Sequence, residues 1–342
     1  MTVLELKRDD TAAQPAEALI PEARELQRRR WRRRGLATLL ASLVCAGGGL
    51  ALTGAGGRTA TVSAASADPG YASRLPAWAT KGFLVYRCDS GTLCVSRPGD
   101  KHGRLLDPAG PVPQWDPAIS PTGESVAFRG YWGVADGAYA LYTVSANGCT
   151  THRVTHAIAS TPSWSPDGQS VVFDGGDGIW KVRSNGTGLT RLAAGRSGTA
   201  PAWSPTQNEI AFVGFAEGRG QIWLMNADGT RPIRLLASSR ISYEEPSWSR
   251  NGRQIAFVAR AAGRSWIEVM NADGSHARAV TNSKGHPWNP QWLPNDAGIA
   301  WLARGGSIFA ARLNGTHVTR ILRAHAEEFQ WSSATLPARG CV

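Results

Sequence analysis

The sequence lacks the short motifs that carry chemistry in many enzymes. It contains no Gly-x-Ser-x-Gly nucleophile elbow, no glycine-rich phosphate loop and no His-Glu-x-x-His zinc helix. Its 7 histidines show no ligand spacing apart from His152 and His156. That pair falls in a predicted strand and loop, where a separation of four does not make side chains neighbours. We therefore predict no catalytic residue, no metal-ligand motif and no cofactor.

Negative charge is also scarce, and the positive excess is unevenly distributed. Lys and Arg number 37 against 26 Asp and Glu, which gives a formal net charge of +11. Nine of the basic residues fall within residues 1–35, whereas the rest of the chain has no concentrated basic run. Nucleic-acid binding requires a clustered basic stripe, so we predict no nucleic-acid partner.

Only one long apolar run is present. Residues 35–52 carry no charge and follow residues 28–34, six of which are arginine. Such a run is about long enough to cross a bilayer once, and the arginines favour a cytoplasmic N-terminal side. We predict a cytoplasmic basic tail (1–34), a transmembrane anchor or signal sequence (35–54) and a flexible linker (55–80) rich in Gly, Ala, Ser and Thr.

The apolar run leaves two outcomes of export open. A retained anchor gives a single-pass membrane protein, whereas cleavage after Ala65-Ser66-Ala67 gives a secreted one. Arg33-Arg34 also fits a twin-arginine signal. Each alternative places residues 81–342 outside the cytoplasm.

The remaining chain is a series of repeats. A Pro-x-Trp-Ser segment, or a variant of it, is followed by a turn and an apolar segment such as Ile210-Ala211-Phe212. A third apolar segment, an Asn-Gly or Asp-Gly turn and a short polar strand complete the unit. The equivalent positions, spaced by 45, 39, 45, 44 and 39 residues, are Ile119, Trp164, Trp203, Trp248, Trp292 and Trp331. Four strands with a period of about 40–45 residues are typical of a β-propeller blade.

These segments resemble the TolB-type repeat, a WD-like propeller repeat. Residues 162–168 read Pro-Ser-Trp-Ser-Pro-Asp-Gly, and residues 226–230 and 271–275 follow the pattern Asn-Ala-Asp-Gly-Ser/Thr. The resemblance covers roughly residues 82–335. It implies a propeller of the cell envelope that engages a protein or an extended peptide at the mouth of its central channel.

The two ends of the repeat region are complementary. Residues 82–106 supply three strands without a Trp strand, and residues 328–335 supply a Trp strand alone. We expect them to form one composite blade, which closes the ring and leaves no free sheet edge. The predicted fold is an all-β, six-bladed β-propeller (81–342), monomeric, behind an N-terminal transmembrane helix or signal anchor.

Cysteine is rare, with five in the chain, and Cys45 lies in the apolar run. Cys88 and Cys94 flank a short hairpin turn, so we predict that they pair. Cys149 follows a turn of the first complete blade and Cys341 follows the closing strand, and a disulfide between them would lock the two ends of the ring together. The alternative is four unrelated buried thiols.

The residues just before each inner strand form the candidate binding site, because propeller loops converge on the channel there. Carboxylates and two tryptophans stand at these positions: Trp115, Asp116, Glu244, Glu245, Trp288, Asn289, Glu327 and Glu328. An acidic, aromatic mouth on a basic protein suits a cationic peptide segment or a metal ion. The alternative is that these side chains cap strand ends and pair with arginines.

The predicted function is a membrane-tethered, extracytoplasmic scaffold that binds an envelope protein or an extended peptide and is not an enzyme. The alternative is a carbohydrate-binding or carbohydrate-processing propeller that acts on cell-wall glycan. In that case Trp115 and Trp288 would provide sugar platforms, and the carboxylates would act as acid and base.

Overall fold

The computed structural model describes residues 75–100, 102–107, 109–111, 113–131, 139–156, 158–192, 198–282, 285–323 and 326–338. Apart from a short 3-10 turn at Ala77–Ala79, the regular elements in these ranges are strands. The predicted basic tail, the apolar run and most of the linker lie outside the described residues. Within the described ranges, no helix has the length and hydropathy needed to cross a membrane.

Six four-stranded antiparallel sheets form the domain. The first three strands in the chain are β1 (Phe83–Arg87), β2 (Leu93–Ser96) and β3 (Arg104–Leu105). Blade 1 contains β4 (Gln114–Ile119), β5 (Ser125–Gly130), β6 (Ala140–Ser145) and β7 (Thr151–Arg153). Blade 2 contains β8 (Ser160–Trp164), β9 (Ser170–Asp174), β10 (Ile179–Arg183) and β11 (Thr190–Arg191).

The next blades follow the same order. Blade 3 contains β12 (Thr199–Trp203), β13 (Glu209–Ala216), β14 (Arg219–Asn226) and β15 (Ile233–Leu236). Blade 4 contains β16 (Ser242–Trp248), β17 (Gln254–Ala261), β18 (Arg264–Asn271) and β19 (Arg278–Ala279). Blade 5 contains β20 (Trp288–Trp292), β21 (Gly298–Ala303), β22 (Ser307–Arg312) and β23 (Thr319–Arg323), and the last strand is β24 (Phe329–Ser332).

Blade 6 is composite, as the sequence predicts. Its strand order is β24-β1-β2-β3, and β24 pairs antiparallel with β1 so that Phe83 faces Ser332 and Tyr86 faces Phe329. The indole Nε1 of Trp331 also donates a hydrogen bond to the Lys81 carbonyl oxygen at 2.8 Å. The two ends of the domain are therefore joined by backbone pairing, and the six-bladed fold is confirmed.

The Asn-Gly and Asp-Gly turns have a second role in addition to reversing the chain. Gly229, in the turn between β14 and β15, has a φ of +86°. A Cβ at this position would lie 2.6 Å from the Leu192 carbonyl oxygen of blade 2. Glycine is thus required both for the turn conformation and for the close approach of the neighbouring blade.

Packing between blades makes up the core. The second strand of each blade is almost entirely buried, and four consecutive blades place a fully buried phenylalanine on it: Phe128, Phe173, Phe212 and Phe257. Burial of one such side chain contributes roughly 1.5–3 kcal/mol. Each buried cluster combines residues of adjacent sheets, as where Val213 of blade 3 and Phe257 of blade 4 share one cluster. Each blade therefore buries its apolar faces against its two neighbours.

The repeated tryptophans bond one blade to the preceding one. The Trp164 Nε1 donates to the Ala118 carbonyl oxygen at 2.9 Å, and the Trp248 Nε1 donates to the Ala202 carbonyl oxygen at 3.0 Å. Trp292 does the same with Ser247 at 2.9 Å. The repeat motif therefore encodes a contact between blades as well as a strand.

Trp203 departs from this pattern. Its Nε1 is buried and has no hydrogen-bond partner among the described residues. Trp203 and Trp248 are otherwise matched, because they are 8% and 7% exposed and occupy equivalent positions. Comparing substitutions at these two positions therefore separates the contribution of the indole hydrogen bond from the contribution of ring burial.

We predict that Trp248→Phe destabilises the propeller more than Trp203→Phe. Trp248→Phe removes the hydrogen bond to the partly buried Ala202 carbonyl, at a cost of about 0.5–1.5 kcal/mol, whereas Trp203→Phe removes a donor that has no partner among the described residues. Urea unfolding followed by tryptophan fluorescence measures both. Equal losses of stability in the two variants would contradict the role assigned to the indole bond.

Cys88 and Cys94 are joined by a disulfide across the hairpin between β1 and β2, with their Cα atoms 5.8 Å apart. Cys149 is also disulfide-bonded. Its predicted partner, Cys341, lies outside the described residues, so the pairing of these two cysteines stays a prediction.

Peptide mapping tests this second pairing. After digestion without reduction, we expect a disulfide-linked peptide that contains Cys149 and Cys341 and that separates into two masses on reduction. The Cys88–Cys94 peptide serves as the internal control, since it must shift under the same treatment. Recovery of Cys341 as a free thiol would contradict the prediction.

Candidate functional site at the channel mouth

Four of the eight predicted site residues line a cavity of about 510 Å³ on the propeller axis: Asp116, Glu245, Asn289 and Glu328. They stand immediately before each inner strand's Pro or Phe, as do Thr161 and Ala200, which also line the cavity. The other four predicted residues, Trp115, Glu244, Trp288 and Glu327, do not line it. These four stand one residue earlier in the chain, and the lining of the cavity begins only at the position before each Pro or Phe, so the two halves of the predicted set separate.

The five residues that precede proline have a left-handed backbone. The φ angles are +50° at Asp116, +47° at Thr161, +48° at Ala200, +54° at Glu245 and +51° at Asn289. In each case the register between the inner and second strands shifts at this point, which marks a β-bulge. A non-glycine residue in this region costs roughly 1–2 kcal/mol, so the neighbouring structure must hold it there.

Three side chains form contacts that hold this backbone in place. The Glu328 Oε2 accepts a hydrogen bond from the Asp116 backbone N–H at 2.5 Å, and the Glu245 Oε2 accepts one from the Asn289 N–H at 2.7 Å. The Asn289 Oδ1 accepts from the Phe329 N–H at 2.9 Å. We call Asp116, Glu245, Asn289 and Glu328 the channel girdle. It runs from blade 4 through blades 5 and 6 to blade 1.

The girdle contacts are strong enough to offset the backbone strain. A hydrogen bond to a carboxylate contributes about 1.5–3 kcal/mol, which equals or exceeds the cost of one left-handed residue. Blades 2 and 3 have Thr161 and Ala200 at these positions, which offer no carboxylate. There the Ser163 Oγ accepts from the Trp203 N–H at 2.9 Å and joins the two inner strands.

Arginines neutralise several of the predicted acidic residues. Arg87 forms an ion pair with Glu327. The Arg129 Nε lies 3.2 Å from the Asp116 Oδ2, and the Arg260 Nη2 lies 3.5 Å from the Glu244 Oε2. Trp288 donates its Nε1 to the Glu327 carbonyl oxygen at 3.3 Å. The acidic mouth expected from the sequence is thus a paired and hydrogen-bonded structure, in line with the strand-capping alternative.

Trp115 lies in a cluster of arginines and aromatic rings next to the girdle. The Arg129 and Arg87 guanidinium carbons lie 4.8 Å and 5.0 Å from the centre of its ring, and Tyr139 packs edge-on at 5.2 Å. Burial lowers the pKa of Arg87, while the nearby Glu328 opposes this effect. The Trp115 ring is therefore engaged by two cations of the protein itself.

Sequence reasoning missed three charged residues of this region. Arg87, Arg129 and Asp174 occupy equivalent positions at the end of the second strand in blades 6, 1 and 2. Blades 3, 4 and 5 have Val213, Val258 and Leu302 there. The signal was present in the repeat alignment, since a charged residue in an otherwise apolar slot marks a special environment.

Asp174 is a buried acid, 4% exposed. Burial raises its pKa to about 7, and the neighbouring Asp116 and Asp177 add to the effect, while the Gly176 N–H bond and Arg129 oppose it. The Oδ1 accepts the Gly176 N–H at 2.8 Å. Among the described residues, no three His, Cys, Asp or Glu side chains converge as metal ligands.

Parts of this chain match known proteins. Residues 194–334 match the family described as the TolB beta propeller domain. The propeller is TolB-like. A TolB homolog of Chlorobium chlorochromatii is 33% identical over 111 residues, which are 31% of this chain and 25% of that protein. An uncharacterized protein of Agrobacterium fabrum is 28% identical over 111 residues, 30% of this chain and 37% of the relative. The chain spans about a quarter to a third of the length of these relatives.

Solved structures agree on the fold of this TolB-like propeller. TolB from Acinetobacter baumannii superposes with a TM-score of 0.61 at 19% identity, over 73% of this chain and 66% of that one. A chain of a nidogen/laminin complex superposes equally, with a TM-score of 0.61 at 11% identity, over 74% and 99% of the two chains. At such identities the likeness shows the fold alone.

Asp174 leads to a pH-dependence prediction for the TolB-like propeller. The pKa is about 7 in the folded state and about 3.9 in the unfolded chain. Between these values only the folded state holds the proton, so stability falls as the pH rises from about 4 to about 7. We predict that the wild type loses on the order of 2–4 kcal/mol relative to Asp174→Asn between pH 5 and pH 8.

Urea unfolding at several pH values measures this difference. Asp167→Asn is the control, because Asp167 is an exposed acid of the same blade whose pKa is lowered by the Ser165 hydroxyl. Its difference from the wild type should stay constant from pH 5 to pH 8. A constant difference for Asp174→Asn as well would show that Asp174 does not titrate in this range.

Proposed function

We propose that this TolB-like protein is a membrane-tethered, extracytoplasmic scaffold without enzymatic activity, whose channel binds an extended segment of another envelope protein. The observation that carries the proposal is the axial cavity of about 510 Å³, to which the inner strands of all six blades contribute. Its volume lies within the range of roughly 300–1,000 Å³ that is typical of ligand pockets.

The chemistry of the cavity wall favours a peptide. The wall combines polar side chains, such as Ser163 and Gln291, with proline and tryptophan rings. An extended peptide presents N–H and C=O groups alternately along its length and apolar surface on its side chains, so it can complement both kinds of group.

The girdle then acts as a frame rather than as a set of ligands. Its carboxylates hold the inner strands at a fixed separation, which keeps the cavity open before a partner arrives. Preorganisation of this kind lowers the entropic cost of binding. The ligand is then recognised by the wall of the channel and not by the acidic side chains of the girdle.

Tethering and export rest on the sequence. The arginine-rich residues 28–34 followed by the uncharged residues 35–52 favour a single crossing with the propeller outside the cytoplasm. The similarity to TolB-like propellers supports a role in the cell envelope.

The contacts of the acids argue against the carbohydrate-processing alternative. Glycoside hydrolysis uses two carboxyl groups that face the sugar. Glu245 and Glu328 each accept a backbone N–H, and Asp116 is paired with Arg129. These engagements favour a scaffold over an enzyme.

Blocking the channel tests the proposal. Ala200 lines the cavity, so Ala200→Phe should narrow it. Because Ala200 has a positive φ angle, which bulky residues rarely adopt, urea unfolding of the variant checks that it still folds. We predict that it reduces retention of envelope proteins by at least about tenfold, which corresponds to about 1.4 kcal/mol. Retention on the immobilised full-length protein, quantified by mass spectrometry, measures the effect.

The matched control is Ala279→Phe, the same substitution at an exposed position on the outer strand β19. It should retain the same proteins as the wild type. Equal loss in the two variants, or no loss in either, would contradict binding in the channel. Release of reducing ends from cell-wall glycan by the wild type, abolished in Glu245→Gln, would establish the enzymatic alternative instead.

A further inference from the structure

One of the turns at the far end of the channel carries a charge. Each inner strand ends in a turn, and the second residue of that turn is proline in four blades, arginine in blade 4 and serine in blade 6. The six residues are Pro121, Pro166, Pro205, Arg250, Pro294 and Ser333. Blade 4 therefore places an arginine where most blades place proline. Arg250 lines the axial cavity together with Pro121, Pro166 and Pro205. Ser333 of blade 6 also lines the cavity, so Arg250 is the charged residue among these six positions.

The Arg250 side chain reaches from blade 4 to blade 6. Its Nη2 donates to the Trp331 carbonyl oxygen at 2.6 Å, past the blade in between. Its backbone N–H donates to the Asp296 Oδ1 at 2.8 Å, which fixes the start of the side chain. The Arg250 residue is thus fixed at its backbone by Asp296 and at its guanidinium by Trp331, which holds the side chain at the channel wall.

One donor of this guanidinium is unused. The Nε of Arg250 is buried and has no hydrogen-bond partner among the described residues. Burial lowers the pKa of Arg250, and Asp296 partly offsets this, but an arginine stays charged at neutral pH. The Nε is shielded from the cavity, whereas Arg250 lines the cavity and carries further N–H groups at Nη1 and Nη2. A cation that lines a cavity favours an anionic group such as a planar carboxylate.

The two ends of the cavity carry opposite charge. Glu245 and Glu328 line it at the girdle end, and Arg250 lines it at the other. Glu245 and Arg250 are five residues apart on β16 and its turn, which is at most roughly 16 Å at about 3.3 Å per residue. A ligand that spans this distance is a peptide of four or five extended residues, which carries a carboxylate at its C-terminal end.

We propose that Arg250 binds a free carboxylate at the C-terminus of the peptide that occupies the channel. The inference rests on the proposed function, because it assigns an orientation and a terminal group to the ligand of that same site. The peptide lies along the axis with its C-terminus at Arg250 and its preceding residues toward the girdle. A side-chain carboxylate of Asp or Glu is the other source of the same chemistry.

Matched peptide arrays distinguish these possibilities. Random pentapeptides are presented in three forms: with a free C-terminal carboxylate and no Asp or Glu, with a C-terminal carboxamide and no Asp or Glu, and with a carboxamide and one Asp or Glu. Binding of the full-length wild type, Arg250→Gln and Arg253→Gln is measured. Arg253 is an exposed arginine of the same turn and serves as the control.

We expect the wild type and Arg253→Gln to prefer the free carboxylate by about tenfold or more, the size of one charge-assisted hydrogen bond. Arg250→Gln should bind the free-acid and carboxamide forms equally. Arg250→Lys keeps the positive charge but lacks the planar guanidinium. It should show an intermediate preference for the free-acid peptides. It provides the test if the Gln variant does not fold.

The contrary outcomes separate the two proposals. Equal binding of free-acid and carboxamide peptides by the wild type would overturn the role of Arg250 and leave the channel as a peptide site. A preference for internal Asp or Glu that is lost in Arg250→Gln would overturn the C-terminal assignment. If no peptide of any form binds, the proposed function fails and the inference fails with it.

Discussion

Closure of the ring is the constraint on which the remaining structure depends. The pairing of β24 with β1 places a strand from the C-terminal end inside a sheet built from the N-terminal end of the domain. Each blade buries its two faces against its neighbours, and a gap in the ring would expose two such faces at once. Because buried apolar area is the main favourable term in folding, closure stabilises every blade and not only the composite one.

Closure also determines the geometry of the channel. The girdle contact between Glu328 and Asp116 joins the composite blade to blade 1, so it forms only when the ends have met. The same is true of the Gln330 Oε1, which accepts the Ile119 N–H at 2.9 Å. Two of the left-handed residues, Asp116 and Asn289, are held by contacts of this type between blades. The shape of the cavity is therefore a property of the whole ring and not of any single repeat.

The fold was predictable from the sequence because each repeat encodes its own structure and its contact with a neighbour. The Trp spacing, the Asn-Gly and Asp-Gly turns and the complementary ends were sufficient for six blades and the composite closure. The site was only partly predictable. The cavity lining includes Glu245 but not Glu244, because a β-bulge lies at this point, and the repeat alignment alone does not show which of the two residues faces the channel.

The electrostatic partners were the part that sequence reasoning could not supply. Arg87 is distant in sequence from Glu327, and ring closure brings the two into contact, whereas Arg129 reaches Trp115 as its cross-strand partner within blade 1. A count of acidic residues near the channel therefore overstates its negative potential. Departures from the repeat are the more specific signal, because a residue that breaks a six-fold pattern is not required by the fold.

In the TolB-like propeller, the residues that build the framework differ from the residues that are available for recognition. Side chains that repeat around the ring, such as the tryptophans and the turn glycines, satisfy contacts between blades and leave little freedom for a ligand. Arg87, Arg129 and Asp174 break the apolar second-strand pattern on one side of the ring, and Arg250 breaks the proline pattern at the far end. The ring is thus nearly symmetric in its backbone and asymmetric in its charge. A symmetric channel would accept a peptide in several rotations and in both directions, whereas one cation at one end favours a single direction.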